Sequence, residues 1–173
     1  MLVTLGTGIG GGIIMDGQIC RSNNNMGEIG HMIIQADNGK ECPCGQSGCW
    51  ERYCSMTALM ESAEEYALAN QDSILYNMYA ENGNKLGGKL IFDSLEKNCP
   101  VANEVFDKFL NYLVCGINSL YNIFGPDAIV LAGGVTVQGE KLLDPLKKKL
   151  KKDIRIEISV LQGDAGCLGA AML

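Results

Sequence analysis

The chain has 173 residues, of which 47% are hydrophobic and 20% charged, as is typical of one globular domain with a core of its own. This composition excludes a disordered chain, and its apolar runs are far shorter than the roughly 20 residues that cross a bilayer. The net charge of −6 argues against nucleic-acid binding, which needs a positive surface field. We therefore expect neither a membrane nor a nucleic acid as partner, and without a secretory signal at residues 1–5 we expect a cytoplasmic location.

The first 20 residues predict strands around a glycine-rich turn. A strand-type run, Leu2–Leu5, precedes Gly6–Gly12, in which five of seven residues are glycine. We expect Ile13–Met15 to continue the strand. Asp16-Gly17 is a strong two-residue hairpin signal, which would return the chain through Gln18–Cys20.

The rest of the chain is predicted to be mostly helical, with two late strands. Residues 21–54 show no periodicity, and a loop of that length needs something to order it. Helices are predicted over Ser55–Ala69, Gly88–Lys97, Val101–Phe124, Gly139–Lys152 and Ala165–Met172, and strands over Ala128–Ala132 and Ile154–Val160. With no internal repeat or linker, this order predicts a single α/β or α+β domain. The lysines of residues 147–152 are interpreted as a solvated helix end, with an anion- or partner-binding patch as the alternative.

The segment Gly6-Thr7-Gly8-Ile9-Gly10-Gly11 has the form G-x-G-x-x-G. The dinucleotide fingerprint requires a helix directly after such a loop, whereas a hairpin is predicted here. No Gly-Lys-Ser/Thr follows, which excludes the Walker phosphate loop. A glycine-rich turn between two strands, with Thr7 at its tip, can still present backbone N–H groups to a phosphate. A tight hairpin that merely needs positive φ is the alternative.

A metal-ligand pattern lies within the irregular segment. Ten residues separate the chain's one histidine, His31, from Cys42, one separates Cys42 from Cys44, and four separate Cys44 from Cys49. Three thiolates and one imidazole form a complete tetrahedral shell for structural zinc, which would order the loop and leave no position for activating water. Buried free thiols beside an unrelated histidine are the alternative. Packing explains Cys54 better than ligation, and the remaining cysteines are expected to be small buried apolar residues: Cys20, Cys99, Cys115 and Cys167.

Two carboxylates flank these ligands. Glu28 stands three residues before His31, and Glu51 stands two residues after Cys49. If zinc draws His31 and Cys49 together, Glu28 and Glu51 converge, as the recognition of several hydroxyls on one ligand requires. A glycosidase also uses two carboxylates, and solvated loop acids are a further alternative.

Three motifs in this order resemble the ROK family (repressor, open reading frame, kinase), which includes bacterial glucokinases and other hexose and N-acylhexosamine kinases. They are Leu5–Gly12, Gly27–His31 and Cys42–Glu51. Leu131–Val135 is similar to the family's nucleotide-side glycine turn, and Gly163–Ala171 is similar to the entry of its C-terminal helix. The resemblance implies an α/β fold of the sugar kinase/actin-like ATPase type, with a ribonuclease-H-like core and a zinc-braced loop.

The resemblance also implies roles for individual residues. It implies nucleotide binding by Gly6, Thr7, Gly8, Gly10, Gly133 and Gly134, sugar binding by Glu28, His31 and Glu51, and metal binding by His31, Cys42, Cys44 and Cys49. The imidazole would then bind zinc through one ring nitrogen and a sugar hydroxyl through the other, as a metal-bound histidine can.

Two motifs of the family's kinases do not occur in this sequence. They are an Asp-x-Gly-Gly-Thr phosphate loop and an Asn-Asp pair whose aspartate is the general base. Asp16, Asp127 and Asp164 are predicted in a turn, before a strand and at a helix cap, so none is a credible substitute. We therefore expect residues 1–173 to be the C-terminal lobe of a ROK-type sugar kinase, with the base upstream and the isolated lobe inactive.

The expected activity of the intact enzyme is transfer of a phosphate from ATP, with Mg²⁺, to a hexose, with glucose 6-phosphate formed from glucose. A homodimer is expected from the habit of the family. One alternative is the sugar-sensing effector domain of a ROK-family transcriptional repressor, which should bind sugar without ATP. A zinc-stabilised domain without any ligand is the third possibility.

Overall fold

The computed structural model describes residues 1–24 and 26–161. Its strands are β1 (Leu2–Leu5), β2 (Ile9–Gly12), β3 (Ile14–Met15), β4 (Gln18–Ile19), β5 (Ile129–Ala132) and β6 (Ile156–Ile158). Its helices are α1 (Glu51–Cys54), α2 (Met56–Ala69), α3 (Ile74–Glu81), α4 (Gly88–Glu96), α5 (Pro100–Phe124) and α6 (Glu140–Lys149), with 3₁₀ turns at Ile29–His31 and Gly134–Gln138. None of the helices in these two ranges combines the length and apolarity needed to cross a membrane.

A four-stranded sheet in the order β2-β1-β5-β6 carries the two glycine turns. Strand β5 is parallel to both β1 and β6, whereas β2 returns antiparallel to β1. Because parallel strands end at the same edge of a sheet, the turns after β1 and β5 emerge side by side. Strands β3 and β4 form a separate two-stranded ribbon, closed by the expected hairpin turn with Asp16 and Gly17 at positive φ.

Helix α5 is the centre of the core. Pro100 occupies its first turn, where a missing N–H costs nothing, and Gly125 ends it in the left-handed conformation with its N–H donated to the Tyr121 carbonyl. Residues buried along it recur at spacings of three and four: Ala102, Val105, Phe106, Phe109, Leu110, Leu113, Gly116, Ile117 and Leu120. This face packs against α1, α2, α4 and α6, so α5 also holds α1, the helix that ends the segment of residues 21–54.

The glycine-rich segment differs from its predicted form. The strand resumes at Ile9, after a turn of only Gly6, Thr7 and Gly8, and not at Ile13. The glycines of β2 serve close packing: a Cβ at Gly11 would lie 2.7 Å from Ile29, and one at Gly30 would lie 2.2 Å from the Ile9 carbonyl oxygen. The absence of side chains thus lets the 3₁₀ turn at Ile29–His31 lie directly against β2.

Other predictions were partly wrong. Helix α3 was not predicted, although Ser73 caps it by accepting a hydrogen bond from the Tyr76 N–H, and the single turn α1 was assigned to the irregular segment. Helix α6 ends at Lys149, and β6 is shorter than Ile154–Val160. Cys54 and Cys99 are buried as expected, but Cys115 is exposed and Cys20 is half-buried. Cys167 and the predicted helix Ala165–Met172 lie outside the described residues.

Candidate functional site

The structure brings the four predicted metal ligands together. One potential ligand atom from each of His31, Cys42, Cys44 and Cys49 lies within 4.8 Å of every other. The Cys42 sulfur lies 3.6 Å from His31 Nδ1, and the sulfurs of Cys44 and Cys49 are 3.5 Å apart. Tetrahedral zinc with Zn–S bonds of about 2.3 Å would hold two sulfurs about 3.8 Å apart. The donor set and its spacing therefore fit a zinc ion of the structural type.

Burial and hydrogen bonding shift the pKa values of the three thiols in different directions. Burial raises the pKa of the Cys42 thiol, and it raises that of Cys49 to about 12. The backbone N–H of Gln46 lowers the pKa of the more exposed Cys44 thiol. Because zinc binds the thiolate, its binding to Cys42 and Cys49 would have to displace their protons.

Backbone hydrogen bonds bring the ligand-bearing segments together. The Trp50 N–H donates to the Met32 carbonyl at 2.8 Å, and Ile33 pairs with Cys49 in an isolated β-bridge. Gly48 has a φ of +85°, and its Cα lies so close to the Gln35 carbonyl that a Cβ would sit 1.9 Å from that oxygen. Only glycine allows the two segments to approach in this way, so backbone pairing contributes to bringing His31 and Cys49 together.

Trp50 anchors the loop to the core. Its side chain is fully buried, and its indole N–H donates to the Tyr112 carbonyl at 2.9 Å. The ring packs on Gly116 of α5, where a Cβ would lie 2.0 Å from a ring carbon. Trp50 separates Cys49 from Glu51, so helix α5 holds a metal ligand and a carboxylate in place through this one side chain.

The carboxylates flank His31 as predicted. Glu28 Oε2 lies 3.7 Å from His31 Nε2, and Glu51 Oε1 lies 3.7 Å from His31 Nδ1. Nδ1 faces the thiols, while Nε2 faces Glu28 and is free of the metal cluster. Glu28 is 58% exposed and Glu51 is 20% exposed, so the group combines an inner and an outer carboxylate around one imidazole. Such a set can form several hydrogen bonds with neighbouring hydroxyls of one ligand.

Glu51 also contacts the first glycine turn. Its Oε2 accepts a hydrogen bond of 3.4 Å from the Ile9 N–H, and a Cβ at Gly8 would lie 2.6 Å from the same oxygen. The thiol of Cys42 donates to Glu51 Oε1 at 3.4 Å. The turn, the metal cluster and the carboxylate pair therefore form one continuous site.

The turn itself is held open towards solvent. Thr57 Oγ1 donates to the Thr7 carbonyl at 2.8 Å, and the Met56 N–H donates to the Gly6 carbonyl at 2.8 Å. In the part of the chain that the structure describes, the N–H groups of Thr7 and Gly8 have no acceptor. Two backbone donors at the tip are thus free for an anion.

The remaining predicted nucleotide-binding residues separate into two places. Gly10 lies within β2 and its N–H donates to Thr4 Oγ1 at 3.1 Å, so it is not at the tip of the turn. Gly133 follows β5 with a φ of +98°, and a Cβ on it would lie 2.6 Å from the Leu5 carbonyl oxygen. Gly134, next to it, has open space where a side chain would be. The second glycine turn therefore lies against the end of β1, beside the first.

Sequence reasoning missed four residues that shape this site. Thr4 and Thr57 hold the hairpin, and Trp50 with Gly116 holds the loop. The one available signal was Trp50, the only tryptophan of the chain, which stands between a ligand and a carboxylate.

An α/β lobe with two glycine turns at one sheet edge, next to a Cys₃His cluster with flanking carboxylates, belongs to the sugar kinase/actin-like ATPase class. The ROK family model matches residues 1–173, so the chain belongs to the ROK family. The chain is similar to the glucokinase of Halalkalibacterium halodurans, with 35% identity over 100% of this chain and 55% of the relative. It is also similar to the xylose repressor of Bacillus subtilis, with 28% identity over 88% of this chain and 35% of the relative.

Among solved structures, the chain resembles a ROK family glucokinase from Streptomyces griseus in complex with glucose and AMPPNP. The TM-score is 0.88 with 32% identity, over 99% of this chain and 58% of that one. The predictions of family and fold are therefore confirmed. The chain spans about half the length of the curated glucokinases that it matches.

Proposed function

We propose that this chain is the C-terminal lobe of an ATP-dependent hexose kinase that converts glucose to glucose 6-phosphate. The observation that carries the proposal is the Glu51 carboxylate, which contacts both the hydroxyl-binding group around His31 and the glycine turn at Gly8. Sugar and phosphate sites must adjoin in this way for phosphoryl transfer, which is mainly positioning and charge stabilisation. The glucokinase relative and the structural neighbour bound to glucose and AMPPNP support the same reaction.

In the proposed mechanism, Glu28, His31 Nε2 and Glu51 bind the sugar hydroxyls. The N–H groups of Thr7 and Gly8 bind phosphate oxygens of ATP, whose Mg²⁺ accompanies it as part of the co-substrate. Gly133 and Gly134 let the nucleotide approach the backbone at the end of β5. Zinc, when bound, holds the His31 ring and the Cys49 segment rigid, and supplies no reacting group.

The general base is proposed to come from a preceding lobe, because no Asn-Asp pair occurs in residues 1–173. Consequently, this chain alone should release no ADP when incubated with ATP, Mg²⁺ and a panel of hexoses. Turnover by the chain alone would mean that one of its own carboxylates is the base, and the assignment of Glu28 and Glu51 to binding would be wrong.

Glucose binding by the 173-residue chain tests the sugar site directly. We expect Glu28→Ala to weaken binding roughly tenfold or more, since it removes hydrogen bonds to a charged acceptor. Glu41→Ala is the matched control, because Glu41 is an exposed carboxylate of the same loop. Isothermal titration of the three proteins gives the affinities, and equal affinity of the Glu28→Ala variant and the parent chain would refute the site.

The second candidate function is a sugar-sensing effector domain, favoured by the similarity to the xylose repressor. Nucleotide binding separates the two. A kinase lobe should show shifted amide resonances at Gly6–Gly8 when Mg²⁺ and AMPPNP are added, whereas a repressor lobe should respond to sugar alone.

A further inference from the structure

A polar cavity lies beside the segment that carries the four candidate metal ligands (residues 31–49, called here the metal loop). Its volume is about 70 Å³, and it lies between the loop, α1, α2 and α5. We call it the basic cavity, because its polar lining includes Lys40, Arg52 and Lys108 against the single carboxylate of Glu65. Ser62 and the aromatic side chains of Tyr53 and Tyr112 also line the cavity.

The cationic groups of the basic cavity have few acceptors close enough for good hydrogen bonds. The buried Arg52 Nε has no hydrogen-bond partner in residues 1–24 and 26–161. Glu61 forms ion pairs with the Arg52 guanidinium at 3.5 Å and with Lys40 Nζ at 3.7 Å, and both distances are longer than a good hydrogen bond. Lys108 Nζ lies 5.5 Å from the centre of the Tyr66 ring.

An unpaired buried guanidinium nitrogen costs free energy, so such a group normally has an acceptor. The cavity has room for several waters or for one small oxyanion. A tetrahedral oxyanion presents acceptors in more directions than water and carries the charge that three clustered cations attract.

We propose that the basic cavity binds a single phosphate group, held by Arg52, Lys40 and Lys108. This site is separate from the glycine turns and does not rest on the proposed kinase activity. Lys40 stands two residues before the ligand Cys42, and Arg52 directly follows Glu51. A phosphate in the basic cavity therefore links the metal loop to α1 and α5, and stabilises the arrangement of Cys42 and Glu51.

Phosphate titration followed by NMR of the zinc-loaded chain tests this proposal. The probe is inorganic phosphate at constant ionic strength, with methyl phosphate in a parallel titration to distinguish the free ion from a phosphate monoester. We expect a saturable shift of the Arg52 Nε–Hε signal and of the Lys40, Tyr53 and Lys108 amides. Binding at the first glycine turn would instead shift the Thr7 and Gly8 amides.

Two arginine variants separate a specific site from general charge. Arg52→Gln should weaken phosphate binding roughly tenfold, as measured from the shifts of the Lys40 and Tyr53 amide signals. Arg155→Gln removes the same charge from an exposed side chain just before β6 and should leave binding unchanged. Lys40→Gln, at a 42% exposed side chain, is the second variant should Arg52→Gln not fold, and it too should weaken binding. No saturable shift in the parent chain, or equal binding by Arg52→Gln and Arg155→Gln, would overturn the proposal.

Discussion

At the scale of single residues, Glu51 has the most connected position in the site. One oxygen faces His31 and Cys42, and the other accepts from the Ile9 N–H next to Gly8. A carboxylate held from both sides is preorganised, because little rotational freedom remains to be lost when a ligand binds. Its orientation should therefore be sensitive to small changes in the glycine turn.

Gly8→Ala tests this sensitivity. A Cβ at Gly8 would lie 2.6 Å from Glu51 Oε2, so the carboxylate must move, while the fold should tolerate the change because only a side-chain end is displaced. We expect glucose affinity to fall about tenfold, the value of one charged hydrogen bond, with little change in thermal stability. Gly6→Ala is the control, since nothing lies within 4 Å of its Cβ position. If both variants bind glucose equally well, Glu51 does not depend on the turn.

Residue types and spacing were sufficient to predict which side chains would lie together. The structure brings potential ligand atoms of His31, Cys42, Cys44 and Cys49 within 4.8 Å of one another. The support behind them could not be predicted, because Trp50 contacts a carbonyl 62 residues away. Such a contact depends on the packing of α5 and leaves no local pattern in the sequence.

At the scale of elements, the metal loop has little core of its own, and we expect zinc to hold it. Chelation should remove about one zinc per chain, lower the melting temperature and abolish glucose binding. At this chain length, each kcal/mol of lost stability lowers the melting temperature by about 2–4 °C. Cys44→Ser should also lose zinc and lower the melting temperature, whereas Cys115→Ser, at an exposed thiol on α5, should still bind zinc. Metal analysis with calorimetry under reducing conditions measures both, and full stability without zinc would contradict a structural role.

The packing of Trp50 against helix α5 should contribute to the stability of the metal loop. Gly116→Ala puts a Cβ 2.0 Å from the buried indole, and we expect overpacking to cost about 1–3 kcal/mol. The better helix propensity of alanine offsets about 1 kcal/mol of this loss at most, so the free energy of unfolding of the variant should be lower on balance. Cys115→Ala, the neighbouring exposed position, is the control. Urea unfolding gives the free energies, and a Gly116→Ala variant as stable as the control would show that Trp50 repacks freely.

The elements also show what periodicity can and cannot predict. The long apolar stripe of α5 and the Asp16-Gly17 turn were predicted because each has a strong local signal. The extent of β2 was not, because Gly10, Gly11 and Gly12 have poor strand propensity. They form a strand because the 3₁₀ turn at Ile29–His31 lies against them, a tertiary reason that overrides propensity.

At the scale of the whole molecule, the site depends on pairing between strands that lie far apart in the sequence. Strand β1 pairs with β5, and this places Gly133 against Leu5, next to the first glycine turn. No spacing rule predicts this juxtaposition from separate glycine motifs. Only the resemblance to the ROK family linked the two turns in advance, since a family resemblance carries topology as well as residues.

An ion pair joins helix α5 to helix α6. Lys149 Nζ lies 2.6 Å from Asp107 Oδ1, and this contact lowers the pKa of the Asp107 carboxyl below its usual value. A lowered folded-state pKa stabilises the fold above the pKa of the unfolded chain, and the contribution is lost as pH falls through the folded-state pKa. Because Asp107 is 58% exposed, solvent screening limits the contribution to about 0.2–1 kcal/mol.

Asp107→Asn should therefore be less stable than the parent chain from about pH 5 to pH 8. The difference should begin to shrink as pH falls below the usual aspartate range near 4, and should vanish only below the lowered pKa of the folded state. The difference should also shrink in 1 M salt, where charges are screened within about 3 Å. Glu104→Gln removes a charge from the same helix, at an exposed residue with no ion pair in the described residues, and is the control for loss of charge alone. Urea unfolding across this pH range measures both variants. A constant deficit for Asp107→Asn at every pH would mean that its amide disturbs packing, and that Lys149 does not stabilise the contact between α5 and α6 by its charge.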